Sequence, residues 1–535
     1  MHKLVKMSAL ALLLSTSSAA FAEWKVATSG LLTVYSEEDE ASLKETVTNI
    51  EVYHRLLKAY SQSKKEGSPL RLTVFLLRDT TALQSFLPGD NQGLLGFYSA
   101  TERGPYLVSV RRSVRPTGTR KAVADNSKDA APKILQHEYG HHFMYQYFPG
   151  LYPTWYSEGF AEYYGSMDFL PNNVVEVGHA PFYRMDVIRS GWYPMRKLLT
   201  AKSYADVGDS LRNLYAQGWL LTHYAASNPE RGKQLNQYLV AITQGVKYDE
   251  AAKAAFGADI DKLDDEMKAH AKNLTAKRLS LKPMDVGPIT IRSLTKGEAA
   301  MLQTEMRLNS SFERSVLPLV VRTGRQVIKD NPTDLGAMMT QLEVERLAEN
   351  FDEAVALADR ILALSPNNAK AMAIKGMVQV DKLLAAKSTD DAAFAEARKP
   401  IRAAIKIDPN LATAHVGLYK SYSLRGILPP AEAQNGLMKA HQLIPRDRDI
   451  RYMLAKDFED RGFIEDAIFI IEPDAFGALD GDEKKDERQK KKDRKRLQWL
   501  ADNYTGVVVR EDAKDMYERL IAKKAAADGE AKLTS

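Results

Sequence analysis

A chain of 535 residues, 44% of them hydrophobic, is long enough to bury two to four cores without covalent staples. It contains no cysteine, which excludes disulfides and a lipid-anchored cysteine. Its 74 basic and 69 acidic residues nearly cancel at +5, which gives no general electrostatic case for binding nucleic acid or a membrane surface.

The chain opens like an export signal. Lys3 and Lys6 precede an apolar run from Ala9 to Leu14, and Ala20-Phe21-Ala22 spells a cleavage site before Glu23. Residues 1–22 are therefore expected to be a signal peptide, and the mature chain to be periplasmic with a charge of about +3. The apolar run is too short to cross a bilayer, and no other stretch is long enough for a transmembrane segment.

Residues 23–115 alternate between patterns. Leu31 to Tyr35 and Leu70 to Leu77 read as strands, and Ala41 to Tyr60 between them carries apolar residues at helical spacing. Gly96 to Tyr98 and Tyr106 to Val110 read as two more strands around a Gly104-Pro105 turn. The last is expected either as an edge open to an extended peptide or as one arm of an ordinary paired hairpin. Arg112 to Asp129 is polar and aperiodic, and reads as a loop over a cleft.

Residues 116–280 read as mainly helical and carry the most informative motif, His137-Glu138-Tyr139-Gly140-His141. On a helix, positions four apart share a face, so His137 and His141 can reach one metal ion. Glu138 projects beside them as a general base for an attacking water. Pro132 stands as a helix start signal, and apolar Ile134, Leu135, Phe143 and Met144 predict a buried helix. Sixteen residues then separate His141 from Glu158, with Pro149, Gly150 and Pro153 to turn the chain. A second helix from about Thr154 puts Glu158 and Glu162 one turn apart on one face. Glu158 is expected as the third ligand, and Glu162 as the carboxylate that orients a ligating histidine. Spacing leaves the reverse assignment of the two glutamates open. Two histidines and a carboxylate suit Zn²⁺, and can also serve Fe²⁺ or Mn²⁺.

H-E-Y-G-H followed by W-Y-S-E-G-F-A-E-Y resembles the gluzincin metallopeptidases, with a somewhat shortened gap. The closest resemblance is to bacterial proteins with a peptidase MA-like domain, many with helical repeats behind it. The resemblance implies a zinc peptidase, with a small sheet ahead of the active-site helix. Tyr215-Ala216-Gln217-Gly218 resembles the Y-x-K-G segment of the aminopeptidase group, which implies that Tyr215 donates to a developing oxyanion; His223 is a weaker alternative. The G-x-M-E-N strand of those exopeptidases does not precede His137, so an endopeptidase is the expectation.

Ala254 to Lys272 reads as a helical pair closing this half, and 281–295, with Pro283 and Gly287-Pro288, as a linker. From 296 to 475 the chain repeats. Pro332, Pro366, Pro409 and Pro445 recur at 34, 43 and 36 residues, with Ala354, Ala397 and Ala433 each twelve before a proline. That phase resembles the tetratricopeptide repeat (TPR), with an insertion at Ala385 to Ala393 behind the 43. Residues 476–535 hold a charged stretch, Asp482 to Arg496, with nine basic and five acidic residues, then a helix and a disordered tail after Ala525.

The expected fold is thus an α+β gluzincin-like catalytic domain followed by an all-α TPR-like domain. The expected function is periplasmic zinc-dependent peptide hydrolysis, acting on a peptide or protein substrate, with a protein partner on the repeats. The alternative is an interaction scaffold built on a weakly active or inactive peptidase fold.

Overall fold

The computed structural model describes residues 23–86, 94–111, 127–150, 152–202, 204–310, 312–476 and 510–534, with a few more between 495 and 503. The expected signal peptide, nearly all of the polar loop and nearly all of the charged stretch lie outside the described residues.

The N-terminal half is built on a mixed six-stranded sheet. Its strands are β1 (Lys25–Thr28), β2 (Leu32–Ser36), β3 (Leu72–Leu77), β4 (Gly96–Thr101), β5 (Gly104–Val110) and β9 (Thr290–Ser293), in the order β4-β5-β3-β2-β1-β9. β2, β3 and β5 run parallel, and the remaining pairs are antiparallel. Helix α1 (Glu40–Ser61) makes the crossover from β2 to β3, as parallel pairing requires. The side chains alternate across the sheet. Leu72, Val74, Leu76 and Leu107 face α1 and the site helix, whereas Phe75, Leu77, Val108 and Val110 face the opposite side.

Two sequence expectations need correction here, and an open one closes. Of the two readings of the strand at Tyr106 to Val110, the arm of a paired hairpin holds and the edge does not. The strand is paired with β3 and β4 and covered on both faces, so that Tyr106 to Val110 are all buried, Ser109 included. The edge is β4, and the hairpin turns at Glu102-Arg103 rather than Gly104-Pro105. Residues 281–295 are not a free linker either. Leu281, Met284 and Ile289 pack on the core, and β9 closes the far edge of the sheet against β1.

The helical part holds α3 (Ser127–Tyr147), α4 (Thr154–Gly165), α7 (Leu211–Ser227), α9 (Tyr248–Phe256) and α10 (Asp261–His270), with further helices between. A small sheet of β6 (Asp168–Leu170), β7 (Val174–Val177) and β8 (Lys277–Ser280), not foreseen from the sequence, lies in this region. Pro132 sits inside α3 rather than at its start; it removes one hydrogen bond early in the helix.

The C-terminal half is five antiparallel helix pairs. They are α11 (Lys296–Leu308) with α12 (Leu317–Asp330), α13 (Leu335–Leu347) with α14 (Phe351–Leu364), and α15 (Ala369–Ala385) with α16 (Asp391–Ile407). Then come α17 (Ala412–Ser423) with α18 (Ala431–Leu443), and α19 (Arg448–Asp460) with α20 (Ile464–Phe476). The recurring prolines each lie two residues past the second helix of a pair, and Ala354, Ala397, Ala433 and Ala467 are buried within those second helices. This is a TPR-like array. The long repeat owes its extra length mainly to its helices, 17 residues each in α15 and α16, rather than to an inserted loop. The last helix, α21 (Ala513–Thr534), packs on α19 and α20 and continues through the expected disordered tail.

The two halves share packing. Leu302 and Met306 of the first repeat helix cover the second face of the sheet, beside Tyr106 and Val108. Leu70 and Ala100 join an apolar cluster with Val416 and Tyr419 of α17.

Candidate metal centre

The site is assembled by three helices held at close range by small residues. Gly140 of α3 faces Ala161 of α4, where a Cβ on the glycine would lie 3.3 Å from the Ala161 Cα. Gly165 of α4 lies against the backbone of His137, and Gly159 of α4 lies against Gly218 of α7, where a Cβ would come within 2.4 Å of the Gly218 carbonyl oxygen. The glycine and alanine of E-G-F-A, and the glycine after Tyr215, are thus the contacts that let α4 sit between α3 and α7.

That packing brings His137, His141 and Glu158 to one point. One ligand atom from each lies within 4.8 Å of the others. The Nε2 atoms of His137 and His141 are 3.2 Å apart, and Glu158 Oε2 is 3.2 Å from the first and 3.4 Å from the second. Glu158 Oε2 is buried without a hydrogen-bond partner. A buried carboxylate oxygen aimed at two imidazole nitrogens is costly unless a cation joins them. Two nitrogens and one oxygen form a donor set that suits Zn²⁺. The residues therefore fit a metal ion, and the other coordination positions would be left to water or substrate.

The electrostatics agree. Burial depresses His137, but the Glu158 carboxylate against it and the charge of Glu162 outweigh burial and raise it to about 9. Burial raises Glu158, but the charge and contact of the two histidines hold it well below the usual carboxylate range. In both cases the site favours positive charge between the ligands, carried by protons when no ion is there.

The neighbours fix the ligands. Glu162 Oε1 is 3.4 Å from His137 Nδ1, and Glu162 accepts from Arg184 Nε at 2.9 Å and from an Arg184 terminal nitrogen at 2.5 Å. Its carboxylate is thus already committed on the far side of His137, away from the three converging atoms. Ser157 Oγ lies 3.3 Å from His141 Nδ1 and 3.3 Å from the Tyr145 hydroxyl. Tyr204 donates a short hydrogen bond to Glu158 Oε1, which leaves Oε2 for the metal. Ser157, Arg184 and Tyr204 were not read from the sequence. Only their contacts mark them, and no spacing rule connects Tyr204 with Glu158 across 46 residues.

Glu138 lies on the cavity side of the same helix turn. Burial raises its carboxyl, partly offset by the charges of His137 and His141 and by a hydrogen bond from the Tyr98 backbone N–H. Tyr98 belongs to β4, so the edge strand runs beside Glu138. Tyr215 lines the same cavity, in contact with Tyr204 and with the Arg184 guanidinium 4.8 Å from its ring centre. His223 points elsewhere, to His270 Nε2 at 2.8 Å and the Thr275 carbonyl at 3.1 Å, so it is no alternative oxyanion donor.

The cavity has a volume of about 1520 Å³ and is walled by both halves of the protein. On one side are the candidate ligands and β4; on the other are the first helices of successive repeat pairs, with Arg346, Met377 and Lys420 among the wall residues.

No protein-family model matches the chain, and neither does any curated protein. Solved structures similar to it are TPR proteins. One is a thermophilic TPR protein of Thermus thermophilus, 18% identical, covering 38% of this chain and 99% of that one, with a TM-score of 0.28. Another is a TPR protein from Parabacteroides merdae, 11% identical, covering 55% of this chain and all of that one, with the same TM-score. Likeness this loose adds nothing to the argument, and the repeat architecture rests on the helix pairs themselves.

Proposed function

We propose that the chain is a zinc-dependent peptidase of the gluzincin type, exported to the periplasm. The observation that carries this is the convergence of His137 Nε2, His141 Nε2 and Glu158 Oε2, with the general base Glu138 next to His137 on the same helix. A zinc ion bound there supplies a Lewis acid for the scissile carbonyl and acidifies a water. The rest falls to the chain. His137, His141 and Glu158 hold the ion. Glu162 and Ser157 set the orientation of the two imidazoles. Glu138 takes the proton from the attacking water and delivers it to the leaving amine; its raised affinity for protons suits a group that must both accept and donate near neutrality. Tyr215 donates to the oxyanion. An extended peptide lies along the free edge of β4, its backbone paired with the strand.

The test is hydrolysis of an unfolded protein such as casein by the mature chain, with its metal content measured in parallel. Glu138→Gln should keep its zinc and lose activity on the order of 10²- to 10⁴-fold. Chelation should abolish activity and zinc restore it. Unaltered turnover by Glu138→Gln would remove Glu138 from the mechanism.

A second possibility is a protein-interaction scaffold, and the TPR-like half favours it. Its outer surface exposes large apolar side chains, Phe469 at 71% and Phe463 at 52%, which suit a protein partner. A Glu138→Gln strain that behaves as wild type while a Phe469→Glu strain fails would support the scaffold over the enzyme.

A further inference from the structure

The repeats supply a cation to the peptidase cavity. Arg446 lies in the turn between α18 and α19, and its guanidinium stacks 4.5 Å from the centre of the Tyr145 ring. Tyr145 in turn stacks on His141, with ring centres 6.4 Å apart. These two spacings place the guanidinium within about 11 Å of the His141 ring. An extended peptide advances about 3.3 Å per residue, so that span corresponds to roughly three residues from the bond at the metal.

Arg446 is also weakly committed. Among the described residues, the one carboxylate within 4.0 Å of it is Asp474, at 4.0 Å, and Asp474 is held closer by Arg451, at 3.1 Å. Other cations of the cavity are spent on close pairs: Lys420 on Glu102 at 2.6 Å, Arg346 on Asp381 at 2.7 Å, and Arg103 on Glu305 and Glu343. A guanidinium in a concave, partly desolvated wall with no close anion of its own is well placed to take a carboxylate in a bidentate pair.

We propose that Arg446 is a specificity residue that anchors a carboxylate of the substrate peptide within about three residues of the scissile bond. This rests on the peptidase function above. The carboxylate comes either from the peptide's C-terminus or from an aspartate or glutamate side chain. The helical repeats then act as part of the substrate site, and the enzyme selects short or unfolded acidic peptides that fit between the two walls.

Binding is measured by calorimetry on zinc-loaded Glu138→Gln protein, so that no turnover is needed. The probes are acetyl-tetraalanine with a free carboxylate, its C-terminal amide, and the amide with aspartate at the last position. The expected result is that at least one carboxylate-bearing peptide binds about tenfold or more tightly than the neutral amide, and that Arg446→Gln removes this difference. Tight binding of the free acid alone identifies the C-terminus; tight binding of the aspartyl amide identifies a side chain. Equal binding of all three, or binding by none, overturns the proposal. Because a carboxylate can also ligate the zinc, a preference that Arg446→Gln leaves intact overturns the proposal as well; Arg446→Lys, which keeps the charge, should retain part of the preference, and it takes the place of Arg446→Gln should that variant misfold. Arg446-dependent binding by a wild-type protein that cleaves nothing would retain the carboxylate site and reject the peptidase. Cleavage indifferent to the carboxylate would do the reverse.

Discussion

The two halves of this protein bury charge in different ways. Around the metal centre, buried polar groups converge: His137, His141 and Glu158 meet at a point, and Glu162, Arg184, Ser157 and Tyr204 stand behind them. In the repeats, buried charges close on one another locally. Asp457 takes Arg461 one turn away, Glu345 takes Arg325 and Gln341, and the Arg398 guanidinium is satisfied by Ser421. Local closure of this kind stiffens a stack. Convergence leaves an atom without a partner, Glu158 Oε2, and that residue of unmet valence marks chemistry.

Removing Glu162 should break this contrast most severely. Glu162→Leu removes the carboxylate paired with Arg184 beside Tyr215, and takes the partner from His137 Nδ1. Loss of one member of a buried ion pair costs about 3–5 kcal/mol. Loss of the group that orients a ligand weakens metal binding about 10- to 100-fold. Chemical denaturation and a zinc-competition titration would read the two separately. Full metal affinity in this variant would show that Glu162 does not orient His137.

The hairpin tip should come next. Arg103 reaches Glu305, Glu343 and Asn309, while the Glu102 carbonyl accepts from Thr413 and its carboxylate pairs with Lys420. The β4–β5 turn is thereby gripped by α11, α13 and α17, first helices that form the inner wall of the array. Arg103→Ala should cost about 3 kcal/mol and let the halves unfold in separate steps, seen as a second transition in calorimetry. A single transition at the wild-type temperature would mean that the shared apolar clusters alone couple the halves.

This joint is also where sequence reasoning stopped. The convergence of His137, His141 and Glu158 was legible because helical spacing fixes which residues share a face, and the repeats because proline and alanine recur in phase. Four of the six strands of the main sheet were legible in place, but not their order, and Lys25–Thr28 and Thr290–Ser293 were not read as strands. Period-2 alternation says which residues are buried, whereas the neighbour of each strand depends on contacts far along the chain, and so β5 could be read as an edge or as one arm of a hairpin. The return of Thr290–Ser293 to pair with β1 and the bond from Tyr204 to Glu158 are likewise long-range contacts with no local signal. The glycines of α4 and α7 carried a signal that was read as motif, when each is also a steric requirement.

Acid should act on the N-terminal half through His54. Its ring nitrogens lie 2.9 Å from the Tyr139 hydroxyl and 3.2 Å from the Tyr147 hydroxyl. Burial, aided by the charges of Lys58 and Arg55, lowers it from 6.5 to about 4. The unfolded chain therefore binds a proton near pH 6.5 that the folded protein refuses until about pH 4. The share of stability that His54 carries falls as the pH drops through that window, by about 3 kcal/mol, and His142 and His270, also lowered by burial, steepen the fall. Denaturation midpoints between pH 7 and 4 measure this slope; a flat profile would place a charged His54 in the fold.

Gly159→Ala tests the close helix contact more gently. The added methyl would meet the Gly218 backbone, which has no flexible end to swing aside, so α4 and α7 must part. Overpacking of this kind costs about 1–3 kcal/mol. Because Glu158 is the preceding residue, zinc affinity should fall with stability. An alanine variant with wild-type melting and metal content would show that the helices can slide without moving the ligands.

The repeat surface sets the lower end of the scale. Lys382 pairs with Asp352 across adjacent repeats, and both side chains are exposed, at 52% and 81%. Solvent screens the attraction, and holding two long side chains together offsets most of what remains. Lys382→Ala should therefore change stability by less than about 0.5 kcal/mol and leave zinc content and peptide hydrolysis untouched. A larger loss, measured by urea denaturation, would mean that surface pairs bind one repeat to the next, and that the array depends on its rim as well as on its buried alanines.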